Sequence, residues 1–295
     1  MSLINSIFEQ LLNGLRTGSI YALIALGYTM VYGIAKMINF AHGDIIMVGA
    51  YSLYVFTVLL GLHPVIAVIL TIVVCSVLGI VIEKVAYKPL RNAPSLAVLI
   101  TAIGMSYLLQ NVALLIFKAT PIPFASIISV PSLRLGSVTI SGITIVTLVV
   151  TTISMIALTS FINNTKTGRA MRAVSEDKGA AELMGINVNK TISITFAIGS
   201  GLAAVAGILF ICQYQSLQPT LGALPGIKAF VAAVLGGIGS IPGAMLGGII
   251  LGIIESLSKA YISTQLSDAI VFSTLVIVLL ARPSGLLGKM KIEKV

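Results

Sequence analysis

A short polar segment between two apolar runs holds the side chains that are best suited to chemistry. Within Lys36–Asp44 stand an amide at Asn39, an imidazole at His42 and a carboxylate at Asp44. A charged group at the centre of a bilayer costs about 2.5–3.5 kcal/mol, so such groups normally face a cavity or another protein surface. One interpretation is a short cytoplasmic turn in which Asp44 caps the next helix. The other is an interrupted helix whose polar groups, together with Phe40, line a substrate path.

The residue types of an enzyme or a metal centre are not assembled anywhere in this sequence. His42 and Asp44 alone are too few ligands for a metal ion. No Ser-His-Asp set, His-Glu-x-x-His motif or catalytic pair of carboxylates is apparent, and we expect Glu255 and Asp268 to be isolated acids near the ends of spans. The sequence therefore predicts a protein that is not an enzyme and that carries no metal or cofactor of its own.

A glycine-rich segment interrupts the long apolar run Ile227–Leu257. Proline cannot donate a backbone hydrogen bond and glycine weakens a helix, so the run is expected to break into two arms. Small residues four apart also allow two helix backbones to approach closely in lipid, which favours helix packing, with a gating hinge as the alternative. The residues assigned to this break and its packing are Gly236, Gly237, Gly239, Pro242, Gly243 and Gly247.

The loop Asn163–Lys190 is the most polar part of the chain and is expected to contain a short helix, Glu176–Met184. Ser175 suits the N-cap, and Gly185 suits the left-handed position after the helix. So short a helix is not stable alone in water. Its apolar face, formed by Ala180, Leu183 and Met184, must dock either on its own membrane domain or in a groove of a partner. The small Ala180 and Ala181 favour the partner.

Composition places these features in a membrane. Of 295 residues, 57% are hydrophobic and only 9% are charged, whereas a soluble domain has about 25% charged residues. This excludes a soluble enzyme, a nucleic-acid-binding protein and a disordered chain. The net charge of +9 comes from basic residues between apolar runs, which is typical of charges that set membrane topology. We predict one transmembrane domain, residues 1–295, and no nucleic-acid partner.

The apolar runs predict an all-α polytopic helical bundle of about eight spans. Cys75 and Cys212 both lie inside such runs and are expected to remain free, buried thiols. The runs are Thr17–Ala35, Ile45–Gly61, Pro64–Ile82, Ser95–Phe117, Gly142–Ile162, Thr191–Cys212, the broken run Ile227–Leu257 and Leu266–Ala281.

The basic loops predict the orientation. Glu83–Pro94, Asn163–Lys190 and the C-terminus carry most of the lysines and arginines, whereas Gln213–Gly226 carries no charge. Basic loops remain on the cytoplasmic side. We therefore expect these loops and the C-terminus inside, and Gln213–Gly226 and the N-terminus outside.

Several motifs resemble those of the permease subunits of branched-chain amino acid ABC importers of the LivH type. The likeness runs nearly end to end in one order and is weakest over Lys118–Ser141. The matching stretches are Asn13-Gly14, Gly18–Gly33, Ile38–Gly43, Gly168–Ala173, Glu176-Asp177, Ala180-Ala181, Leu183–Ile186, Lys228–Phe230, Gly236–Ala244 and Arg282–Gly288.

This resemblance implies a set of partners. In that family, two related permeases work with two cytoplasmic ATPases and an extracytoplasmic binding protein that delivers leucine, isoleucine or valine, and the ATPases bind ATP and Mg²⁺. It implies a multi-pass protein of the bacterial plasma (inner) membrane, in contact with the lipid bilayer. Its ATPase-docking helix would match Glu176–Ile186, with contacts from Arg172, Glu176, Asp177, Ala180, Ala181, Leu183, Met184 and Gly185.

Two alternatives stay open at this stage. An importer of urea, amides or other amino acids would share these features, because substrate choice can rest with the binding protein. A self-sufficient channel or secondary transporter would need no ATPase, and the docking loop argues against it.

Overall fold

The structure, a computed structural model, describes residues 3–91, 93–135 and 138–288. Within these ranges the chain forms eleven α-helices and four short strands. In chain order they are α1 (Leu3–Ala35), α2 (His42–Tyr54), α3 (Pro64–Ile82), α4 (Ser95–Phe117), β1 (Ile122–Pro123), β2 (Leu133–Leu135), β3 (Val138–Ile140), α5 (Gly142–Asn164), α6 (Lys166–Glu176), α7 (Lys178–Leu183), α8 (Val188–Tyr214), β4 (Ser216–Leu217), α9 (Ala223–Gly236), α10 (Ile241–Tyr261) and α11 (Ser267–Ala281).

Seven helical segments in the described ranges are long and apolar enough to cross a membrane, and α9 and α11 are shorter apolar helices. The predicted class, a polytopic helical bundle, is therefore confirmed. Two of the seven segments include irregular helix, because α2 continues as a π-helical turn over Val55–Leu59 and α3 continues over Glu83–Leu90. The long run Ile227–Leu257 is divided, as predicted, into α9 and α10.

Helix α1 is longer than the run that predicted it, because it begins at Leu3 instead of Thr17. Its first half carries polar side chains that interrupt the apolar run. Helix α10 provides partners for these groups: the hydroxyl of Ser256 donates to the backbone oxygen of Gln10 (2.9 Å), and that of Tyr261 donates to Ser6 Oγ (3.1 Å). Contacts between distant segments thus extend the helix beyond its hydropathic signal.

The core of the bundle forms around α1, which packs against α5, α8, α9 and α10. Residues Ala22–Leu26 are entirely buried. Where α1 crosses α10, glycines face each other: a Cβ at Gly18 would lie 2.8 Å from the Gly248 carbonyl oxygen, and one at Gly14 would lie 2.7 Å from Ile253 Cα. Glycine at these positions permits the backbone contact by which membrane helices associate in the absence of a hydrophobic driving force.

The segment between α1 and α2 turns back into the bundle. Lys36 has a positive φ of 59° and ends the helical path, and His42, at the start of α2, lies against Gly27 in the interior of α1. Helix α2 then crosses α8. At the crossing, a Cβ added at Gly49 would lie 3.1 Å from Ala204 Cα. The polar segment is consequently placed inside the helix bundle.

The strands are two or three residues long and form two small sheets in the loops that connect the helices. β1 pairs antiparallel with β4, with Ile122 opposite Leu217. β2 and β3 form an antiparallel hairpin in which Leu133 is opposite Ile140.

Candidate translocation path and docking surface

The polar segment brings Asn39, His42 and Asp44 into buried positions. The hydroxyl of Tyr87, from the π-helical continuation of α3, donates to Asn39 Oδ1 (2.9 Å). The amide of Gln110, from α4, donates to Asp44 Oδ1 (2.9 Å). The segment is therefore packed inside the helix bundle and is not a solvent-exposed turn. Asp44 does not cap α2 either, because it lies in the first turn of the helix and the N-cap residue makes no side-chain capping bond.

Aromatic rings surround the polar segment. Tyr28 contacts the His42 ring edge-on, with centroids 4.7 Å apart, and contacts Phe230 of α9 at 5.7 Å. Phe40 is also in contact with Phe230, at 5.6 Å. Aromatic walls with a few polar groups are typical of sites that hold partly apolar ligands. A narrow cleft here is lined by Tyr28, Tyr32, Met37, Ile38, Asn39, Phe230, Ala233 and Ile238.

Two polar atoms of this segment lack hydrogen-bond partners. They are Asn39 Nδ2 and His42 Nε2, and both are buried. Leaving such a group unsatisfied costs about 1–3 kcal/mol. Polar groups that a membrane domain holds at this cost commonly line substrate paths. Of the four predicted path residues, Asn39 lines the narrow cleft, whereas Phe40, His42 and Asp44 are not among its lining residues.

The second helix break is the glycine-rich segment between α9 and α10. Helix α9 ends at Gly236, and Gly237 and Gly239 have φ values of +103° and +96°, which favour glycine. Helix α10 restarts with Pro242 in its first turn, where the missing N–H is not needed. Ser240 caps it by accepting a hydrogen bond from Gly243 N at 3.2 Å.

The predicted close contacts of this break occur at two of the three glycines. A Cβ at Gly243 would collide with the carbonyl oxygen of Gly236, and a Cβ at Gly247 would collide with that of Ala232. At Gly239 the expectation of close contact is wrong, because nothing lies within 4 Å of an added Cβ. Glycine serves there to allow the positive φ angle.

The segment Arg282–Gly288 forms hydrogen bonds with the end of α9 at the glycine break. Leu286 N donates to Leu235 O, and Leu287 N donates to Gly236 O, each at 2.9 Å. The last carbonyls of a helix have no partner within the helix, and here the chain's own C-terminal segment provides the donors. Sequence reasoning missed this contact, since nothing in the residue types of Leu286 and Leu287 indicates it.

An ionic cluster centred on the buried side chains of Lys228 and Glu255 joins four helices. Lys228 Nζ of α9 lies 2.8 Å from Glu255 Oε1 of α10 and 2.6 Å from Asp268 Oδ1 of α11. Lys259 also pairs with Glu255, at 2.5 Å, and the hydroxyl of Tyr21 in α1 donates to Glu255 Oε2 at 2.7 Å. The expectation that Glu255 and Asp268 are isolated acids is therefore wrong. The Glu255–Lys259 spacing of one helical turn was the available signal for a part of this cluster.

The polar loop contains two helices, α6 and α7, instead of the single predicted helix Glu176–Met184. Ser175 lies within α6, where its hydroxyl donates to Arg172 O. The helix restarts at Asp177, whose Oδ1 accepts from Ala180 N at 3.0 Å, so Asp177 and not Ser175 is the N-cap. Gly185 does adopt the left-handed conformation, with a φ of +80°.

Helix α7 is seated on the end of α1. Lys178 Nζ donates to the terminal carbonyl of α1, Ala35 O, at 3.0 Å. Burial, assisted by the charge of Arg91, lowers the pKa of Lys178 from its usual value. Ala181 is only 4% exposed and joins the main hydrophobic cluster. The seat thus links this loop to the helix that precedes the polar segment.

The apolar tip of the same loop has no cover among the described residues. Leu183 is 91% exposed and Met184 is 82% exposed. Ala180, Glu176 and Arg172 are also exposed. The structure therefore divides the predicted docking residues: Ala181 contacts its own chain, whereas Leu183 and Met184 point away from it.

Both cysteines are free and buried, as predicted. Within the described ranges, no group of three or more His, Cys, Asp or Glu side chains is arranged to hold a metal ion.

Comparison with known proteins gives matches along nearly the whole chain. Residues 10–279 match the family model described as branched-chain amino acid transport system / permease component. The chain is 46% identical to the high-affinity branched-chain amino acid transport system permease protein LivH of Escherichia coli K12. It is 48% identical to the corresponding permease BraD of Pseudomonas aeruginosa, and each match covers 97% of both chains.

A sugar permease is a more distant relative. The ribose import permease protein RbsC of Haemophilus influenzae is 28% identical, over 87% of this chain and 80% of that protein.

Proposed function

This chain belongs to the family of branched-chain amino acid transport system permease components, and we propose that it is the translocation subunit of an ABC importer. Its cargo is leucine, isoleucine or valine, delivered by an extracytoplasmic binding protein. The observation that carries this proposal is the identity of 46–48% to LivH and BraD over 97% of the chain. The chain is a multi-pass membrane protein, and its membrane is the bacterial plasma (inner) membrane.

In this proposal, ATP hydrolysis on separate subunits drives transport. We assign ATP and Mg²⁺ binding to two cytoplasmic ATPases, and we pair this chain with a second, related permease. The exposed side chains of Leu183 and Met184 support the contact with an ATPase, because two large apolar residues on a capped and seated helix form a surface that a groove can bury. The C-terminus and α6–α7 lie on the cytoplasmic side in this arrangement.

The seat of α7 suggests how the ATPase acts on the path. Movement of α7 is passed to the end of α1 through Lys178 and Ala35. Helix α1 contacts His42 through Gly27 and Tyr28. A displacement at the docking surface thereby reaches Asn39, Phe40, His42 and Asp44 through contacts within this chain.

Co-purification with uptake tests the proposal. The chain is expressed with its partner permease, ATPases and binding protein, and the membranes are assayed for ATP-dependent uptake of labelled leucine. Replacing Leu183 and Met184 by Asp is expected to abolish ATPase retention and uptake together, while the membrane domain remains folded. Ala181→Glu is expected to act indirectly, by unseating α7. Lys166, exposed on α6, provides the matched surface control, Lys166→Asp.

Two outcomes decide between this function and its alternatives. ATP-independent uptake, retained in the Leu183/Met184 variant, would identify a self-sufficient transporter. Competition by unlabelled urea, amides or other amino acids that exceeds competition by leucine, isoleucine and valine would identify a different cargo.

A further inference from the structure

The continuation of α3 begins with a π-helical turn, Glu83–Tyr87. The turn is closed by a hydrogen bond from Lys88 N to Glu83 O, one residue longer than the bond of an α-helix. Such turns are rare, and they occur frequently at functional sites. The side chains of Glu83 and Tyr87 are both fully buried. The wider turn therefore directs a carboxylate and a phenol into the bundle.

Both carboxylate oxygens of Glu83 are bound by side chains from other segments. The guanidinium of Arg91, which is only 15% exposed, donates to Oε1. The hydroxyl of Ser193 in α8 donates to Oε2 at 2.6 Å. Arg91 also donates to Asn189 Oδ1, at the start of α8. Because a buried carboxylate is strongly disfavoured without its partners, these bonds fix the π-helical turn against α8.

Tyr87, at the other end of the turn, holds the polar break. Its ring packs against Phe196 of α8, with centroids 5.3 Å apart, and its hydroxyl donates to Asn39 Oδ1 at 2.9 Å. An amide has an acceptor oxygen and a donor nitrogen. Since Tyr87 occupies the oxygen, Nδ2 is the end of Asn39 that is left without a partner. The π-helical turn thereby orients a residue that lines the narrow cleft.

Arg91 also brings the turn close to the docking loop. Burial and the positive charge of Arg91 lower the pKa of Lys178 in α7. Since α7 is the helix that we assign to ATPase docking, Arg91 lies where a movement of that helix changes its surroundings. This connection is separate from the hydrogen bond of Lys178 to Ala35 O.

We infer that Glu83 is a positioning residue for transport, an inference that rests on the proposed function. Its carboxylate holds the π-helical turn, the turn holds the Tyr87 hydroxyl on Asn39, and Arg91 connects the turn with α7. Glu83 is not among the residues that line the cleft, so it acts through Tyr87. The competing interpretation is a buried ion pair that only stabilises the fold.

Glu83→Gln tests this role in the complete complex. Glutamine keeps the shape of the side chain and removes its charge. ATP-dependent uptake of labelled leucine, measured per assembled complex, is expected to fall about threefold to tenfold. The matched control is Lys84→Gln, which removes the charge of the next residue in the same turn. Lys84 is exposed, and normal uptake is expected there. If Glu83→Gln does not assemble, Ser193→Ala, which retains the ion pair, takes its place with an expected fall of about twofold to threefold.

Combination with Tyr87→Phe shows whether Glu83 acts through the Tyr87 hydroxyl. If it does, the double variant retains about the uptake of the weaker single variant, because the second change removes a bond that is already lost. Independent effects would multiply. Thermal unfolding of the same proteins records stability separately. A purely structural ion pair would lower the unfolding temperature and leave uptake per assembled complex normal.

The outcomes distinguish this inference from the proposed function. Normal uptake per assembled complex in the substituted chain would overturn the inference and leave the proposed function intact. Losses that multiply in the double variant would also overturn it, since Glu83 would then act apart from Tyr87. An equal loss in Lys84→Gln would assign the effect to charge in general and would overturn it as well. Absence of leucine uptake by the unsubstituted complex would contradict the proposed function itself.

Discussion

The two helix breaks of this protein differ in the groups that occupy the interruption of the helix. At the polar break, residues 36–41, buried side chains fill the interruption, and Asn39 Nδ2 and His42 Nε2 remain without partners. At the glycine break, residues 237–240, the interruption is closed by hydrogen bonds: the side-chain hydroxyl of Ser240 caps α10, and the backbone N–H groups of Leu286 and Leu287 donate to the end of α9. The polar break therefore keeps two polar atoms without hydrogen-bond partners, whereas at the glycine break the helix ends are satisfied by hydrogen bonds from this chain.

Because of this difference, we expect the polar break to matter chiefly for transport and the glycine break chiefly for the stability of the fold. Unsatisfied buried polar groups lower the stability of the folded state, so their removal need not destabilise it. A glycine whose missing side chain permits backbone contact cannot be enlarged without moving a helix. We therefore expect variants at the polar break to lose transport while they remain folded, and variants at the glycine break to lose the fold first.

The largest effect is expected from Gly243→Leu. The new side chain would collide with the Gly236 carbonyl and would force α9 and α10 apart, at a cost of about 3 kcal/mol, the upper end of the usual range for overpacking. Thermal unfolding and the yield of monodisperse complex in detergent are the measurements. Gly104→Leu is the control, because nothing lies within 4 Å of a Cβ at that position. Equal stability of the two variants would contradict the role given to the glycine break.

The next effect is expected from His42→Leu. This substitution replaces the imidazole by an apolar group and removes the unpartnered Nε2, so thermal stability should be retained or increased. Leucine uptake should fall at least about tenfold, which corresponds to about 1.4 kcal/mol. Uptake at the normal rate, in a complex of normal stability, would show that His42 is a structural residue and would remove the contrast between the breaks.

A smaller effect is expected from Tyr87→Phe. The Tyr87 hydroxyl donates to Asn39 Oδ1 at 2.9 Å, and its loss leaves a buried acceptor at a cost of about 1–3 kcal/mol. Both stability and uptake should decrease, because this bond positions the polar break. The measurements are thermal unfolding and uptake of labelled leucine. Tyr107→Phe is the control, since Tyr107 is exposed on α4; an identical result for both variants would contradict the prediction.

The smallest effect is expected from Ser240→Ala. It removes the cap bond to Gly243 N, which is worth about 0.5–2 kcal/mol of stability. Uptake per folded complex should remain normal, because the glycine break carries no polar contact for cargo. A specific loss of uptake at full stability would place chemistry at the glycine break and would remove the distinction from the polar break.

Local chemistry was sufficient to locate many of the elements. The ends of α4 at Ser95 and Phe117 coincide with the predicted apolar run, because a span is defined by its own hydropathy. The division between α9 and α10 follows from the glycines and Pro242. Gly185 takes the positive φ angle that its place after a short helix predicts. The loop helix was misplaced, because Ser175 and Asp177 are both competent caps and the contact of Lys178 with α1 selects the second.

What the sequence determined by itself is set by neighbours along the chain: the apolar spans, the places where helices break and the polar character of residues 36–44. What only the tertiary structure decided depends on residues far apart in sequence. Lys228 meets Glu255 and Asp268, the polar break lies inside the bundle, and Ala181 is covered while Leu183 is exposed. The physical reason is that burial and ion pairing are properties of packed helices, and the periodicity of one helix does not specify which other helix will cover it.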